Sequence, residues 1–584
     1  MKRFKLSPTS RRQWLIRLAN LDQLRHLALL GAIAGALSAL VIVAFRLCVE
    51  GIQAAFLPGA DPENYEALAW WWHLLLPVAG GLLIGLLFQA VPPHRRQVGV
   101  VHVMERLAYH QGRLPAVNAV MQFLGAALAI IAGHSVGREG PAIHMGAAAG
   151  AGLGQWLHLP NNSVRTLVAC GVAAAIAASF NTPLAGVIFS MEVVLMEYTI
   201  TGFVPVIAAA VIATLISYAV FGSDPVFATP SLPTISPMDL PFVVITGIVA
   251  GCLAALFIQS LAFFSTVAQT RPLWQRTTAA GVLVGLCAVW TPQVMGISYD
   301  TVNAALVAET GLLLLVAVTL MKIIATTGTL GLGIPGGLIG PTLVIGATAG
   351  AAIGLVATAM SPDHASPTAL YAMIGMGAMM GATLQAPLAA LTALLELTAN
   401  PAIILPGMLA IVGACLISSQ LFGKTSVFQM LMTARGLDYR DHPLAQSLRR
   451  ISVARAMDAN VVACDIQISR SHAQQLVAQH PHWLLLRPDD ATAWLLPSVD
   501  LAHFLSANSA ETIDLIDLMD IPAQRRSALP VELRDSLQEV WTHLEHSPAD
   551  MVYVTLNRTQ AGGPVFGVLS RQDLEKHYRA AHAP

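Results

Sequence analysis

Long apolar runs dominate the first three-quarters of the chain, with neither the alternation of a half-buried strand nor the one-sided stripe of a soluble helix. "LLGAIAGALSALVIVAF" (29–45) and "LPFVVITGIVAGCLAALFI" (240–258) would be apolar all round a helix. Crossing a hydrocarbon core takes about 20 such residues in helical form. The pattern predicts an all-α polytopic membrane protein, with ten or more candidate segments between about residues 27 and 423, several short or broken by glycine.

The pattern changes after about Thr425. From "RGLDYRDHPLAQSLRRISVARAMD" onward charge is ordinary and no run is long enough to span. The division predicted is a cytoplasmic N-terminal segment over 1–26, a membrane domain over 27–435 and a cytoplasmic α/β domain over 436–584. The start, "MKRFKLSPTSRRQWLIRLANLDQLRHL", is basic but lacks the apolar core and cleavage site of a signal peptide. It reads as an amphipathic helix, and its Lys/Arg excess places it inside the cell. The expected location is the inner (plasma) membrane with both termini cytoplasmic. In the tail, the order helix, two strands, helix is given twice, from "SHAQQLVAQH" to "VDLAHFL" and from "LRDSLQEVWTHLEHS" to "RQDLEKHYRA".

Composition sharpens the reading. Only 11% of residues are charged, against about 25% in a soluble chain. A net charge of −1 gives no reason to expect a nucleic-acid partner. The six cysteines lack paired spacing and read as small buried residues. His102, His134 and His144 lack the spacing of a metal site, so no metal is expected. A membrane-embedded enzyme is disfavoured, because His-Glu-x-x-His does not occur and the spans hold no clear pair of nucleophile and base. A cation carrier would want several carboxylates or converging carbonyls.

The membrane region repeats itself. "GREGPAIHMGAAAGAGLG" (137–154) aligns with "GLIGPTLVIGATAGAAIG" (337–354) at an offset of 200, and "FNTPLAGVIFSMEV" (180–193) aligns with "LQAPLAALTALLEL" (384–397). In the second block a glutamate follows the proline by nine positions in both copies, Glu192 after Pro183 and Glu396 after Pro387. The halves are expected at about 27–225 and 235–435. The parity of the span count decides whether they are parallel or inverted; inverted halves with re-entrant or broken helices are a common transporter design and the expectation here.

Each copy carries a Gly-x-x-Gly-Pro turn before a Gly/Ala-rich helix. Proline suits a first helical turn, and the amides beside it present N–H groups at a helix N-terminus. Such ends carry about half a positive charge and bind anions. Two of them could hold one dehydrated anion and still release it, which a fixed Lys or Arg would resist. The copies differ at Glu139, which aligns with Ile339. A carboxylate at an anion site is a competing anion, able to occupy the seat when ionised and leave when protonated or displaced. That is a gate. The alternative is an Arg138–Glu139 ion pair holding a loop, or a glutamate in solvent.

These motifs, "GREGP" (137–141), "FNTPLAGVIFSMEV" and "GIPGGLIGP" (333–341), resemble the CLC chloride channel and transporter family over most of residues 30–435. The resemblance implies a homodimer with a pore in each subunit, chloride held by main-chain amides, and Glu139 as the gating glutamate. It places anion-binding amides at Arg138, Glu139 and Gly140 and at Leu338 and Ile339. The family's first anion motif falls at "VGVVH" (98–102), which puts Gly99 where a serine is usual, and its inner tyrosine falls at Phe428. Both hydroxyls are missing here. The inner proton glutamate of the family's exchangers falls at Val193, next to Glu192, whose repeat partner Glu396 points to a structural role. The reading is transmembrane chloride transport by a gated channel or loosely coupled exchanger. The alternative is a tightly coupled H+/Cl− antiporter using another proton route, with Glu192 a candidate on it. Other small anions remain candidate substrates. The tail resembles a pair of CBS modules, whose nucleotide signature "GVLSRQD" matches at Gly567, Ser570 and Asp573. It marks a candidate adenine-nucleotide site, weighed against a purely structural tail.

Overall fold

A computed structural model of the protein describes residues 24–198, 200–227, 237–267, 269–361, 366–437, 448–487, 493–508, 514–558 and 563–581. The N-terminal segment expected as an amphipathic helix lies outside them as far as residue 23. The chain divides into two compact units, Leu24–Trp156 with Val164–Tyr439, and Leu157–Ser163 with Arg440–Pro584.

The larger unit is helical. It begins with α1 (Leu24–Phe56), α2 (Trp70–Gln89), the short α3 (Gly99–Tyr109) and α4 (Ala116–Ile131). α5 (Glu139–Trp156), α6 (Asn161–Phe180), α7 (Pro183–Phe189) and α8 (Ile200–Phe221) follow. The same order of long and short helices then recurs: α9 (Leu240–Val267), α10 (Leu273–Trp290), α11 (Tyr299–Leu306), α12 (Leu312–Gly331), α13 (Ile339–Met360), α14 (Thr368–Leu384), α15 (Pro387–Thr398) and α16 (Ile404–Leu416). α17 (Val427–Ala434) ends the unit.

Among the described residues, eight helices are long and apolar enough to cross a membrane, and four more are shorter apolar helices, in line with the ten or more candidate segments, several of them short, expected from the runs. The shorter ones, such as Ala116–Ile131 and Thr368–Leu384, are cut short by the turns around them. Outward faces are apolar: Leu313 is 86% and Leu405 78% exposed, and neither could sit in water on so continuous an apolar surface. A bilayer removes that conflict. The cysteines form no disulfide; Cys170 and Cys287 are buried as expected, while Cys252 is exposed on α9.

Packing uses small residues at matched places in the two halves. A Cβ added to Gly146 on α5 would lie 2.3 Å from the Gly171 carbonyl of α6, and one on Gly346 of α13 would lie 2.2 Å from the Gly375 carbonyl of α14. Without a hydrophobic drive between helices in lipid, such close backbone approach supplies the packing. Pro183 and Pro387 open α7 and α15, where a missing N–H costs nothing.

The smaller unit holds a six-stranded sheet in the order β1-β3-β4-β6-β7-β8. Its strands include β1 (Val461–Cys464), β3 (Trp483–Leu486), β4 (Ala493–Pro497), β6 (Arg526–Glu532), β7 (Met551–Thr555) and β8 (Val565–Ser570); β2 (Gln467–Ser469) pairs with β5 (Leu515–Asp517) in a separate ribbon. β1 runs parallel to β3 across helix α19 (Arg470–Ala478), after a single turn of helix, α18, at Val453–Ala456. β6 likewise runs parallel to β7 across α21 (Leu537–Glu545), which follows α20 (Ser498–Ala507). An antiparallel β4–β6 pair joins the two halves of the sheet, and α22 (Arg571–Ala581) ends the described chain. The twofold helix–strand–strand–helix pattern of the tail is therefore present.

Gly146→Val and Gly346→Val are each expected to lower stability by about 1–3 kcal/mol or more through overpacking. Gly152→Ala, where an added Cβ meets nothing within 4 Å, should be neutral or slightly stabilising. Thermal unfolding of the detergent-solubilised variants checks the contrast.

Candidate functional site

The two Gly-x-x-Gly-Pro turns meet. The Gly137 N–H donates to the Gly337 carbonyl and the Gly337 N–H returns to the Gly137 carbonyl, each at 2.8 Å. This reciprocal bridge sets the starts of α5 and α13 against each other. Glycine is required on both sides: a Cβ on Gly337 would stand 2.6 Å from the Gly140 nitrogen, and one on Gly140 2.8 Å from the Gly337 Cα. The first-turn amides of α5 and α13 have no acceptors within their own helices and carry the positive ends of the helix dipoles.

Glu139 reaches across to the other helix start. Its carboxylate is fully buried; Oε2 accepts the Gly340 N–H at 3.1 Å and Oε1 accepts the Tyr299 hydroxyl at 2.7 Å. The side chain of one copy thus sits on the N-terminal turn of the other. Two more glycines leave room for it, since a Cβ on Gly137 would be 1.9 Å from Oε2 and one on Gly340 2.9 Å from Oε1.

Arg138 does not pair with Glu139, which removes the ion-pair alternative, and burial removes the solvated one. The guanidinium turns to Glu50 of α1 at 3.0 Å and to the Ser179 carbonyl at 3.2 Å. It therefore brings the anion seat no unpaired cation.

Gly140, Leu338, Ile339, Gly99 and Phe428 all line one cavity of about 670 Å3, together with Arg96, Arg271, Arg276 and Arg435. Five of the expected residues are thus brought together, while Arg138 and Glu139 are not among those that line the cavity. Gly99 has a positive φ of 84° and open space where a side chain would point. At the positions of the two absent hydroxyls the cavity has a bare backbone and a phenyl ring, so amides and arginines provide its polarity.

Glu192 and Glu396 form a matched pair. Glu192 accepts from the amides of Leu388 (3.3 Å) and Ala389 (2.6 Å), while Glu396 accepts from Leu184 (2.9 Å) and Ala185 (2.7 Å). Each carboxylate caps the start of a helix in the opposite half, where Thr182 and Ala386 make no side-chain cap. The neighbouring Val193 is buried. His102 and His144 bond each other at 2.9 Å, and no group of residues suited to a metal occurs among the described residues. In the tail, the Ser570 hydroxyl donates to Asp573 at 2.6 Å and the Asp573 amide returns to it at 3.2 Å, closing the start of α22. Partial burial works against the Asp573 carboxylate, but the Ser570 hydroxyl and the Lys576 ammonium hold it below the usual range.

Sequence reasoning missed Tyr299, Lys322, Glu50 and Glu63. Lys322 carried a signal, as the sole charged residue within Leu312–Gly331, and intramembrane charges are functional by default. Tyr299 carried another: the 200-residue offset aligns it with Gly99.

The family model for voltage-gated chloride channels matches residues 80–419. A ClcB-like protein of Ralstonia nicotianae is 34% identical over 430 residues, covering 72% of this chain and all (100%) of that one. The voltage-gated ClC-type chloride channel ClcB of Escherichia coli K12 is 31% identical over 405 residues, 68% of this chain and 95% of its own. Among solved structures, a slow cyanobacterial Cl−/H+ antiporter superposes with a TM-score of 0.63 at 23% identity, over 70% of this chain and 97% of its own. A eukaryotic CLC transporter gives 0.60 at 19% identity, covering 95% and 98%. The chain belongs to the CLC family, a multi-pass membrane family of ion transport proteins rather than enzymes.

Glu192→Ala and Glu396→Ala should each cost about 0.5–2 kcal/mol of stability, the range of a lost helix cap. Anion flux per folded protein should be retained in both. Paired thermal melts and liposome flux assays check this; loss of flux without loss of stability in Glu192→Ala would refute the capping role.

Proposed function

We propose that this protein conducts chloride across the membrane through a CLC-type pore gated by Glu139, as a channel or a loosely coupled exchanger. One observation carries the reading: the Glu139 carboxylate bonds the Gly340 amide at the start of the opposite copy's helix, where a small anion would be solvated. Amides Arg138, Glu139 and Gly140 would hold an outer ion, and Leu338 and Ile339 a central one. Ionised and docked, Glu139 blocks the seat; protonated or displaced, it leaves it to chloride. The halves are inverted in this reading, in keeping with the reciprocal Gly137–Gly337 bonds and with the matched bonds of Glu192 to Ala389 and of Glu396 to Ala185, each of which exchanges one half for the other.

Glu139, Tyr299 and Gly340 come from a single chain, so each subunit of a homodimer would carry a complete pore. Val193 offers no proton acceptor at the family's inner proton position, and the bonds at Glu192 give that residue a structural task. Both support weak coupling to protons. The tail is proposed as a cytoplasmic CBS-like pair with a structural role, since Ser570 and Asp573 satisfy each other.

Purified protein in liposomes should release chloride, faster as pH falls. Glu139→Gln, a stand-in for the protonated side chain, should raise flux at neutral pH and flatten its pH dependence. Unchanged flux and pH response in that variant would defeat the gating role. Under opposed chloride and proton gradients, the reversal potential should lie at or close to that of chloride; uphill proton movement would reject the passive channel, and a fixed chloride-to-proton ratio would replace this reading with tightly coupled antiport.

A further inference from the structure

We infer that Tyr299 is the latch of this gate: its hydroxyl holds the Glu139 carboxylate on the start of α13, and an anion enters by displacing that bond. The inference rests on the reading of Glu139 as the gate. Tyr299 is a positioning residue in it, acting on the ion through Glu139.

The phenol is held far more firmly than the carboxylate it grips. Its ring packs edge-on to Phe227 at 5.3 Å and near Phe180 at 6.3 Å. The amides of Tyr299 and Asp300 both donate to Glu63 Oε2, at 2.9 and 3.0 Å, which fixes the start of α11. Ser298 just before it adopts a left-handed conformation, φ 66°, that a non-glycine residue keeps only under constraint. The constraint is Lys322. Its buried ammonium donates to Ser298 Oγ at 2.6 Å and to the carbonyls of Val294 and Gly296 at 3.0 and 3.1 Å. The Gly296 amide in turn bonds the Gly133 carbonyl, four residues before the Gly137 turn. Phenol and anion seat are thus braced on one another, and the flexible member of the pair is the glutamate side chain.

The two halves support the assignment. Tyr299 opens α11 as Gly99 opens α3, and Ile339 stands where Glu139 stands in the first copy. The carboxylate and its hydroxyl partner occur together in one pairing and are missing together in the other. A tyrosine kept only to fill space would not track the gate in this way.

The charged groups around the pair are Arg138 just before α5, itself held by Glu50 and near Arg46 of α1; Glu63 and Asp300 at the start of α11; and Lys322 on α12. Glu63 lies in the connection between α1 and α2, and burial beside Asp300 pushes its carboxyl up to about 7. It is a group able to imitate a gate in a pH profile.

The hydroxyl donates to the docked carboxylate. Losing it removes a partner from the docked, ionised form alone, and the released form gains. In Tyr299→Phe the pH of half-maximal chloride flux should therefore rise by about one to two units, the worth of a hydrogen bond to a charged group. In a Glu139→Ala background the same substitution should change nothing. If Glu139→Ala alters the pH response while Tyr299→Phe leaves the midpoint in place, the latch is refuted and the gate stands. If the Tyr299→Phe shift persists in the Glu139→Ala background, it acts through Glu63 or another group and the latch is again refuted. If Glu139→Ala changes nothing, the gate itself fails. Infrared difference spectra on acidification need no tyrosine variant: a tyrosine C–O band should shift in the wild type and stay fixed in Glu139→Ala, and the same band shift in both would overturn the proposal.

Discussion

The site depends on a two-bond contact between glycine backbones. Gly137 and Gly337 exchange hydrogen bonds, and only because neither they nor Gly140 carry a side chain can two helix starts approach so closely. Each start contributes about half a positive charge. Brought together, they would solvate an anion with dipoles that need no reorganisation and impose no full counter-charge. Arg138, the full charge nearest in sequence, is turned away and paired with Glu50. A seat of this kind binds without trapping, and a carboxylate on a flexible side chain can compete for it on nearly equal terms.

The halves agree where they build and differ where they act. Matched glycines pack α5 on α6 and α13 on α14, and matched glutamates cap α7 and α15 from across the repeat. These features hold the two turns face to face. The departures gather at the seat: Glu139 against Ile339, and Tyr299 against Gly99. Glu139 is bonded by the Tyr299 phenol at the start of α13, while Leu338 and Ile339 line a cavity that also carries four arginines. In the proposed reading, this asymmetry gives the pathway one gated side and one open side.

Much of this was legible in the chain. The offset of 200 links the two turns in the sequence itself, because glycine and proline positions record backbone demands directly. Glu192 declared itself structural through Glu396 for the same reason. What stayed hidden was side-chain reach across the fold. Glu50 lies 88 residues from Arg138, and Tyr299 lies 160 from Glu139, and no local pattern encodes such partners. Which apolar runs cross fully was hidden too, because such a run looks alike in a full crossing and in a short helix such as Thr368–Leu384, whose length is set by the turns at its ends.

The central claim is that carboxylate and anion exclude each other at the Gly340 amide. Crystals of the wild type and of Glu139→Ala, grown under the same conditions with bromide in place of chloride, test it most directly. An anomalous peak beside the Gly340 N–H in the variant, absent from the wild type with Glu139 docked, is the predicted result. A peak at that amide in both crystals, or in neither, would contradict it.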